Sequence, residues 1–353
     1  MAKVTIKDIA RESNVSIGTV YRAVYNSGRI NKKTRERVLE TVNRLGYKAN
    51  SIARGLALHS KFNILVIMPS SPESFWGDVT KGTRHASAEL SEFGVQIIEF
   101  FHDKDGKYRG QNVMDILTAV NVDAIAMCIV LFDDCGRVLL YAKEKNIPVA
   151  IFNDDTVSRD RLFFYGPDNF RAGQMAAELM NKCGGQNGTC CTVSSTTFSS
   201  SNSAGINRET GFKNYMEQNC SDMRFLRTYR CSLGETPLVI DQIIKDHPDI
   251  TGFYFTDFTQ MHHYIKLFAD MKKRYIIIGH EYSDDYKDAL LDGSITAILS
   301  EARICQGYYP LKILYQYLIS GEKPRDFYYS NVNIIIGANV DCLNYSNNGC
   351  GFE

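Results

Sequence analysis

From residue 62 onward, short apolar runs of strand length alternate with stretches of helical periodicity, and this constrains the fold more than any other feature of the chain. Runs at Ile64–Met68, Val95–Phe100, Ala124–Val130, Val149–Phe152, Thr189–Val193, Gly252–Phe255, Tyr275–Ile278 and Ala297–Leu299 read as buried strands. Between them, helical patterns occupy for example Thr80–Phe93, Phe170–Lys182, Glu209–Gln218, Leu238–Lys245, Asp284–Leu291 and Gln306–Ile319. Strand and helix in strict alternation predict parallel sheets covered on both faces. Some 280 residues of this kind make two α/β lobes.

The first sixty residues have a different character. Twelve basic residues face only Asp8, Glu12, Glu36 and Glu40, a surplus of eight, while the whole chain sums to zero, so the other 293 residues carry a deficit of eight. A basic head on an acidic body points to a polyanion that binds the head and is repelled by the body. Within the head, Thr5 and Asp8 form a capping box for a first helix bearing Ile6, Ile9 and Ala10 on one face. Asn14-Val15 makes a turn, and Ser16 caps a second helix with Val20 and Val24 inward and Ala23 at the edge. Asn31 caps a third helix carrying Val38, Val42 and Leu45. Two short helices across a tight turn, closed by a third, make a helix-turn-helix. The second helix then presents Ile17, Gly18, Tyr21 and Arg22 outward, where the base edges of a major groove would lie.

The runs Val4 to Ala10, Val15 to Val20, Thr34 to Val38 and Leu45 to Asn50 resemble the lactose-repressor/galactose-repressor family of bacterial transcription regulators. The resemblance covers the whole head and implies that Ile17, Gly18 and Arg22 read bases. Thr5, Ser16, Thr19, Asn26, Arg29, Thr34 and Tyr47 would contact phosphates or support such contacts. Tyr21 and Tyr25 depart from the small and aliphatic residues usual there, and Gly18 offers no side chain to a base. The segment from Asn50 to Leu58 resembles the family's hinge helix, with Asn50 as its cap, Ala53 facing a partner hinge and Leu56 as the wedge between base steps. Gly55 and the shortness of the segment weaken such a helix in isolation.

In a parallel α/β body, ligands lie beyond the carboxyl ends of strands. Ser70, Ser71, Phe75 and Trp76 follow the first strand, Asn153, Asp154 and Asp155 the fourth, Asp257 follows Phe255, and His280-Glu281 follows Ile278. Arg208 opens a later helix. Aromatic, acid, amide and arginine groups together suit a polyhydroxyl ligand. Capping and strand-end turns are the plainer roles for Asp154, Asp155 and Asp257, and a core position is the plainer one for Trp76. The body, through Phe75 to Val79, Ile147 to Asp154, Pro167 to Asn169, Gly173, Arg208 to Phe212, Ile277 to Glu281 and Gln306 to Tyr308, also resembles the core of the same family, which is related to periplasmic sugar-binding proteins. That resemblance implies hydroxyl contacts from Asn153, Arg208, Glu281 and Glu301, with Phe75 or Trp76 lining the cleft. Asn153 stands where an acid is usual, and Glu301 where glutamine is common.

The expected organisation is a helix-turn-helix DNA-binding domain at 1–48, a hinge helix and linker at 49–60, a two-lobed periplasmic-binding-protein-like effector-binding and dimerisation domain at 61–342, and a tail at 343–353. The expected function is a cytoplasmic, dimeric regulator, a repressor, whose partners are an operator duplex and a sugar-like effector. A sugar-binding or sugar-processing protein whose basic head reads no operator is the alternative. No cofactor, metal or catalytic set is expected. The ten cysteines, all in the body, read as small buried hydrophobes, with no disulfide framework and no zinc spacing. Gly184 to Gly188 lacks the Lys-Ser/Thr of a phosphate loop, adjacent His262 and His263 do not converge on one metal, and Cys190 and Cys191 in a strand point to opposite faces. Ser194 to Ser203 reads as a mobile loop beside the cleft. No run approaches ~18 apolar residues, the length of a membrane span. The amino terminus shows no signal-peptide core, and the carboxyl terminus no heptads, so a dimer rather than a tetramer is expected.

Overall fold

The computed structural model describes residues 4–25, 30–46, 61–102, 112–130, 132–155, 160–184, 188–196, 203–258, 260–261 and 275–342. The chain divides into two compact units, residues 1–61 with 315–322, and residues 62–314 with 323–353.

In the head, helices α1 (Ile6–Glu12), α2 (Ile17–Tyr25) and α3 (Lys32–Arg44) start where the sequence places caps. Thr5 Oγ1 accepts the Asp8 amide at 3.4 Å while the Thr5 amide donates to Asp8 Oδ2 at 3.0 Å, a reciprocal capping box. Ser16 Oγ accepts from the Thr19 amide at 3.2 Å, and Asn31 Oδ1 from the Lys33 amide at 2.9 Å. Asn14 turns the chain between α1 and α2 at φ 50°, a left-handed conformation that asparagine tolerates. Ile9, Val20 and Val38 are fully buried at the centre, ringed by Ile6, Val15, Val24, Val42 and Leu45. Ala23, expected at the edge, is inside this core at 1% exposure, because its small side chain lets the helices approach.

The body holds two six-stranded sheets. The first contains β1 (Phe62–Pro69), β2 (Val95–His102), β3 (Ala124–Met127), β4 (Val149–Phe152), β5 (Phe163–Gly166) and β11 (Phe327–Tyr329), in the order β11-β5-β4-β3-β1-β2. The second contains β6 (Gly188–Ser195), β7 (Met223–Cys231), β8 (Ile250–Phe255), β9 (Ile276–His280), β10 (Ala297–Glu301) and β12 (Val332–Ile335), in the order β12-β10-β9-β8-β6-β7. Every pairing is parallel except β10 with β12, so the all-parallel expectation fails at one edge. There the chain leaves β11 in the first sheet and within two residues enters β12, which runs against β10 at the edge of the second.

Helices cover the sheets: α4 (Glu73–Ser91), α5 (Val113–Ala119) and α6 (Cys135–Lys145) in the first lobe, and α7 (Asn169–Gly184), α8 (Ser203–Asn219), α9 (Thr236–Asp246) and α10 (Lys287–Leu291) in the second. Helix α11 (Arg303–Ser320) links β10 back to β11. The second sheet has a separate apolar layer on each face. Cys191 lies in one with Ile240 and Phe253, Cys190 in the other with Phe212 and Tyr254, as strand alternation requires.

Among the described residues the chain passes between lobes three times, at 166–169, 301–303 and 329–332, and the residues at these crossings border both lobes. Cys305 is disulfide-bonded, against the expectation of reduced cysteines, to a partner whose side chain lies outside the described residues. Cys183 is exposed and Cys135 and Cys220 are half-buried, so not every cysteine is a core residue. No helix among the described residues is long and apolar enough to cross a membrane.

Candidate functional site

In the head, the amino-terminal turn of α2 forms a surface. Ile17 is 42% exposed, an unusual position for a large aliphatic residue; Gly18 and Arg22 are exposed, Tyr21 and Thr19 half-buried. Arg22 Nε donates to the Gly18 carbonyl at 3.2 Å, which holds its guanidinium along the same turn. Ser16 and Thr19 hydroxyls lie 2.9 Å apart at the helix start, Thr5 is exposed at the start of α1, and Thr34 is half-buried in the first turn of α3. Asn26, Arg29, Tyr47, Asn50, Ala53 and Leu56 lie outside the described residues, as does all of the expected hinge; the side chain of Tyr25 does too.

In the body, packing places the arginine. Helices α7 and α8 touch backbone to backbone: a Cβ on Gly173 would sit 2.0 Å from the Arg208 carbonyl oxygen, and one on Gly211 would sit 2.0 Å from that of Phe170. Only glycine permits that approach. It sets Arg208 beside Asn169 at the start of α7. Arg208 Nε donates to Asn169 Oδ1 at 2.8 Å, Nη1 to the Thr256 carbonyl at 3.0 Å and Nη2 to Glu301 Oε1 at 2.5 Å. Both charged side chains of this pair are buried. Gln306 Nε2 donates to Glu301 Oε2 at 2.8 Å, and Asn153 Nδ2 donates to Gln306 Oε1 at 3.0 Å. A relay Arg208–Glu301–Gln306–Asn153 thus runs from the second lobe to the strand end of the first.

Glu281 closes the floor. Its Oε1 accepts the Glu301 amide at 3.3 Å, and its Oε2, buried, has no hydrogen-bond partner and lies 3.8 Å from Arg303 Nε. Burial first, and the Glu301 carboxylate second, push the Glu281 carboxyl up to about 8. Arg303 is itself buried, donating to the Ser74 carbonyl at 2.6 Å and pairing with Asp78 at 3.2 Å. Below, His280 shares a 2.7 Å hydrogen bond with the Tyr254 hydroxyl, and burial holds its imidazole well below the ordinary range, so it is neutral. Asn153 and Glu281 both occupy left-handed backbone, at φ 70° and 61°. Such strain at strand ends accompanies binding sites.

Asn153, Asn169, Arg208, Glu281 and Glu301 line a cavity of about 160 Å³ with Pro72, Phe75, Val130, Ala204, Asp257 and Phe258. That is smaller than the roughly 300–1,000 Å³ of drug-sized pockets, and it has room for one small molecule. Six of the seven expected effector residues therefore converge: Phe75, Asn153, Arg208, Asp257, Glu281 and Glu301. Trp76 does not. It is 5% exposed, edge-on to Phe75, because consecutive helical residues point about 100° apart and only one of them faces the cleft.

Asp257 serves backbone amides, Ser195 at 3.0 Å and Gln260 at 3.2 Å. Asp154 accepts from the Ser203 amide at 3.1 Å and from its hydroxyl, and burial raises its carboxyl above the usual range. Asp155 pairs with Arg161 through two 2.7 Å bonds. Arg208 does not open its helix: α8 begins at Ser203, and Ser194 and Ser195 belong to β6, so both ends of the expected loop from Ser194 to Ser203 are regular structure, while 197–202 lie outside the described residues. Asn169, Gln306 and Arg303 were not nominated from sequence. Each stands within two residues of a strand-to-helix junction or in the first turn after it, a placement that could have singled them out.

The head and the body each match a known domain family. Residues 5–50 match the model for bacterial regulatory proteins of the lacI family, and residues 64–323 match the periplasmic binding protein domain. The chain is 30% identical to the HTH-type transcriptional regulator DegA of Bacillus subtilis over 220 residues, 61% of each chain. It is 33% identical to catabolite control protein A of Streptococcus mutans over 122 residues, 35% of each, and 43% identical to that of Priestia megaterium over 79 residues, 22% of this chain and 24% of that one. The chain thus spans from about a quarter to three-fifths of the length of these relatives. In fold, it is similar to AraP, an arabinose binding protein from Geobacillus stearothermophilus, with TM-score 0.68, 19% identity, and coverage of 80% of this chain and 99% of that one. The periplasmic binding protein match alone takes in well over half the chain, so the protein belongs to that domain family and carries a lacI-family regulatory head in front of it.

Proposed function

We propose that the protein is an effector-controlled transcription regulator, a repressor that binds a palindromic operator as a homodimer in the cytoplasm. Residues 1–48 bind DNA, 49–60 act as hinge, 61–342 bind the effector and dimerise, and 343–353 form a tail. The observation that carries this reading is the pairing of two surfaces in one chain. One is a basic helix-turn-helix exposing Ile17, Gly18 and Arg22; the other is a cleft built from both lobes, in which Arg208, Asn153 and three acids stand among Phe75, Val130 and Phe258. Exposed Ile17 suits a thymine methyl, and the surplus of basic residues suits phosphates. Leu238 and Leu291, 72% and 53% exposed on the body, offer apolar surface to a second copy.

Control requires the effector to bind two lobe arrangements with different affinity, and the coupling is then ~1–3 kcal/mol, or about 5- to 150-fold in operator affinity. The test is fluorescence anisotropy of the full chain on labelled duplexes over a range of salt, with a sugar panel added. The proposal expects preference for one palindrome over random duplex, a steep inverse dependence on salt, and a shift in affinity with at least one sugar. Equal affinity for all duplexes, or turnover of a sugar by the protein, would overturn it.

A further inference from the structure

We infer, resting on the reading of the cleft as a sugar site, that it takes neutral polyhydroxyl ligands and excludes their phosphorylated and carboxylated counterparts. The argument follows the groups that could receive an anion, each of which already holds one of the protein's own carboxylates. Arg208, the one guanidinium lining the cavity, directs Nε, Nη1 and Nη2 to Asn169, Thr256 and Glu301. Arg303, the second buried cation nearby, donates to the Ser74 carbonyl, pairs with Asp78, and holds its Nε 3.8 Å from the Glu281 carboxyl.

The helix starts beside the cavity, which would otherwise attract negative charge, are answered in the same way. Asp154 accepts the Ser203 amide at the head of α8, and Asp168 accepts the Arg171 amide at 3.0 Å at the head of α7. Asp257 takes the Ser195 and Gln260 amides. What remains facing the cavity is one paired guanidinium against the carboxylates of Asp257 and Glu301 and the Glu281 carboxyl, which holds its proton at neutral pH, with the amides of Asn153 and Asn169. Hydroxyls can donate to such carboxylates and accept from such amides. A phosphate or carboxylate brings only acceptors and like charge into a buried space, where the repulsion is little screened.

Isothermal titration calorimetry on the full chain tests this with matched sets: glucose, galactose and ribose against glucose 6-phosphate, galacturonate and ribose 5-phosphate. A neutral member binding at least about tenfold more tightly than its anionic counterpart is expected. An anionic member binding as tightly or more tightly would overturn the inference while leaving the cleft a sugar site. Binding by neither class would remove the sugar reading and the inference with it. A second arm uses the Glu281→Gln/Glu301→Gln double variant, which removes the Glu301 charge and the Glu281 carboxyl; discrimination against the anion should narrow by about tenfold, and unchanged discrimination would overturn the assignment to these residues.

Discussion

Replacing Arg208 with Met tests whether the buried pair holds the cleft together or only decorates it. The side chain is buried, and so is its partner Glu301 at 2.5 Å. Methionine keeps the unbranched stem and removes the charge, leaving Glu301 in the interior beside Glu281 without its cation. Deleting one member of a buried pair costs about 3–5 kcal/mol, about a fifth or more of the stability of an ordinary domain. The loss of a donor to Asn169 and to the Thr256 carbonyl falls within that figure, since those acceptors relax with the same cavity. The double variant Arg208→Met/Glu301→Met has no orphaned charge and should recover most of the loss, so the two single effects are non-additive by at least about 1.5 kcal/mol. Urea unfolding of the full chain measures this. Circular dichroism follows both lobes, and fluorescence of Trp76, the only tryptophan, follows the first. Coincident transitions license the two-state free energies. Ligand binding supplies the second readout: the double variant should stay folded and yet lose its response to any sugar that shifts the parent. A cost below about 1 kcal/mol for Arg208→Met, or additive single effects, would refute the electrostatic argument.

Three further perturbations address other links. Glu281→Gln should flatten the pH dependence of stability: the native carboxyl titrates near 8 against an ordinary 4.5, so its contribution is fully present below about 4.5 and lost as pH rises towards 8. The slope removed approaches ~1.4 kcal/mol per pH unit within that window, and identical pH profiles for parent and variant would contradict the shift. Gly173→Ala sets a methyl 2.0 Å from the Arg208 carbonyl and must part α7 from α8, costing about 1–3 kcal/mol and weakening ligand binding with it; a variant of parental stability and affinity would show that the helices yield freely. Leu56→Ala, in the expected hinge, should weaken operator binding at least tenfold in the anisotropy assay while leaving calorimetric sugar affinity unchanged; parental operator affinity would discredit the wedge.

Local signals were legible in proportion to how local their physics is. The caps at Thr5, Ser16 and Asn31 act within three residues and could be read directly. Central parallel strands are buried on both faces and appear as unbroken apolar runs, which is why β1, β4 and β9 stood out. Edge strand β7 did not, because Arg224, Arg227 and Arg230 interrupt its apolar residues where one side meets solvent. Strands β11 and β12, three and four residues long and largely exposed, carry too little pattern to see. In the site, chain position after a strand end placed Asn153, Asp257 and Glu281, but the partners of Arg208 lie 39, 48 and 93 residues away and emerge only from the packed lobes.

That long-range connectivity bears on how the cleft transmits a signal. Glu301 ends β10 in the second sheet, Gln306 sits in the first turns of α11 as the chain crosses over, and Asn153 follows β4 in the first sheet. A ligand that engages Arg208 and Asn153 at once therefore competes with or completes a hydrogen-bonded relay that ties one lobe to the other. Gln306 is held on the first lobe, because the start of α11 packs against α4 through Gly82 and Gly307, so the 2.8 Å Gln306–Glu301 bond is the link of the relay that joins that lobe to the end of β10. Differential affinity for two arrangements is the one property a small molecule needs in order to control anything attached to the lobes, and a ligand that bridges this relay is the kind that can have it.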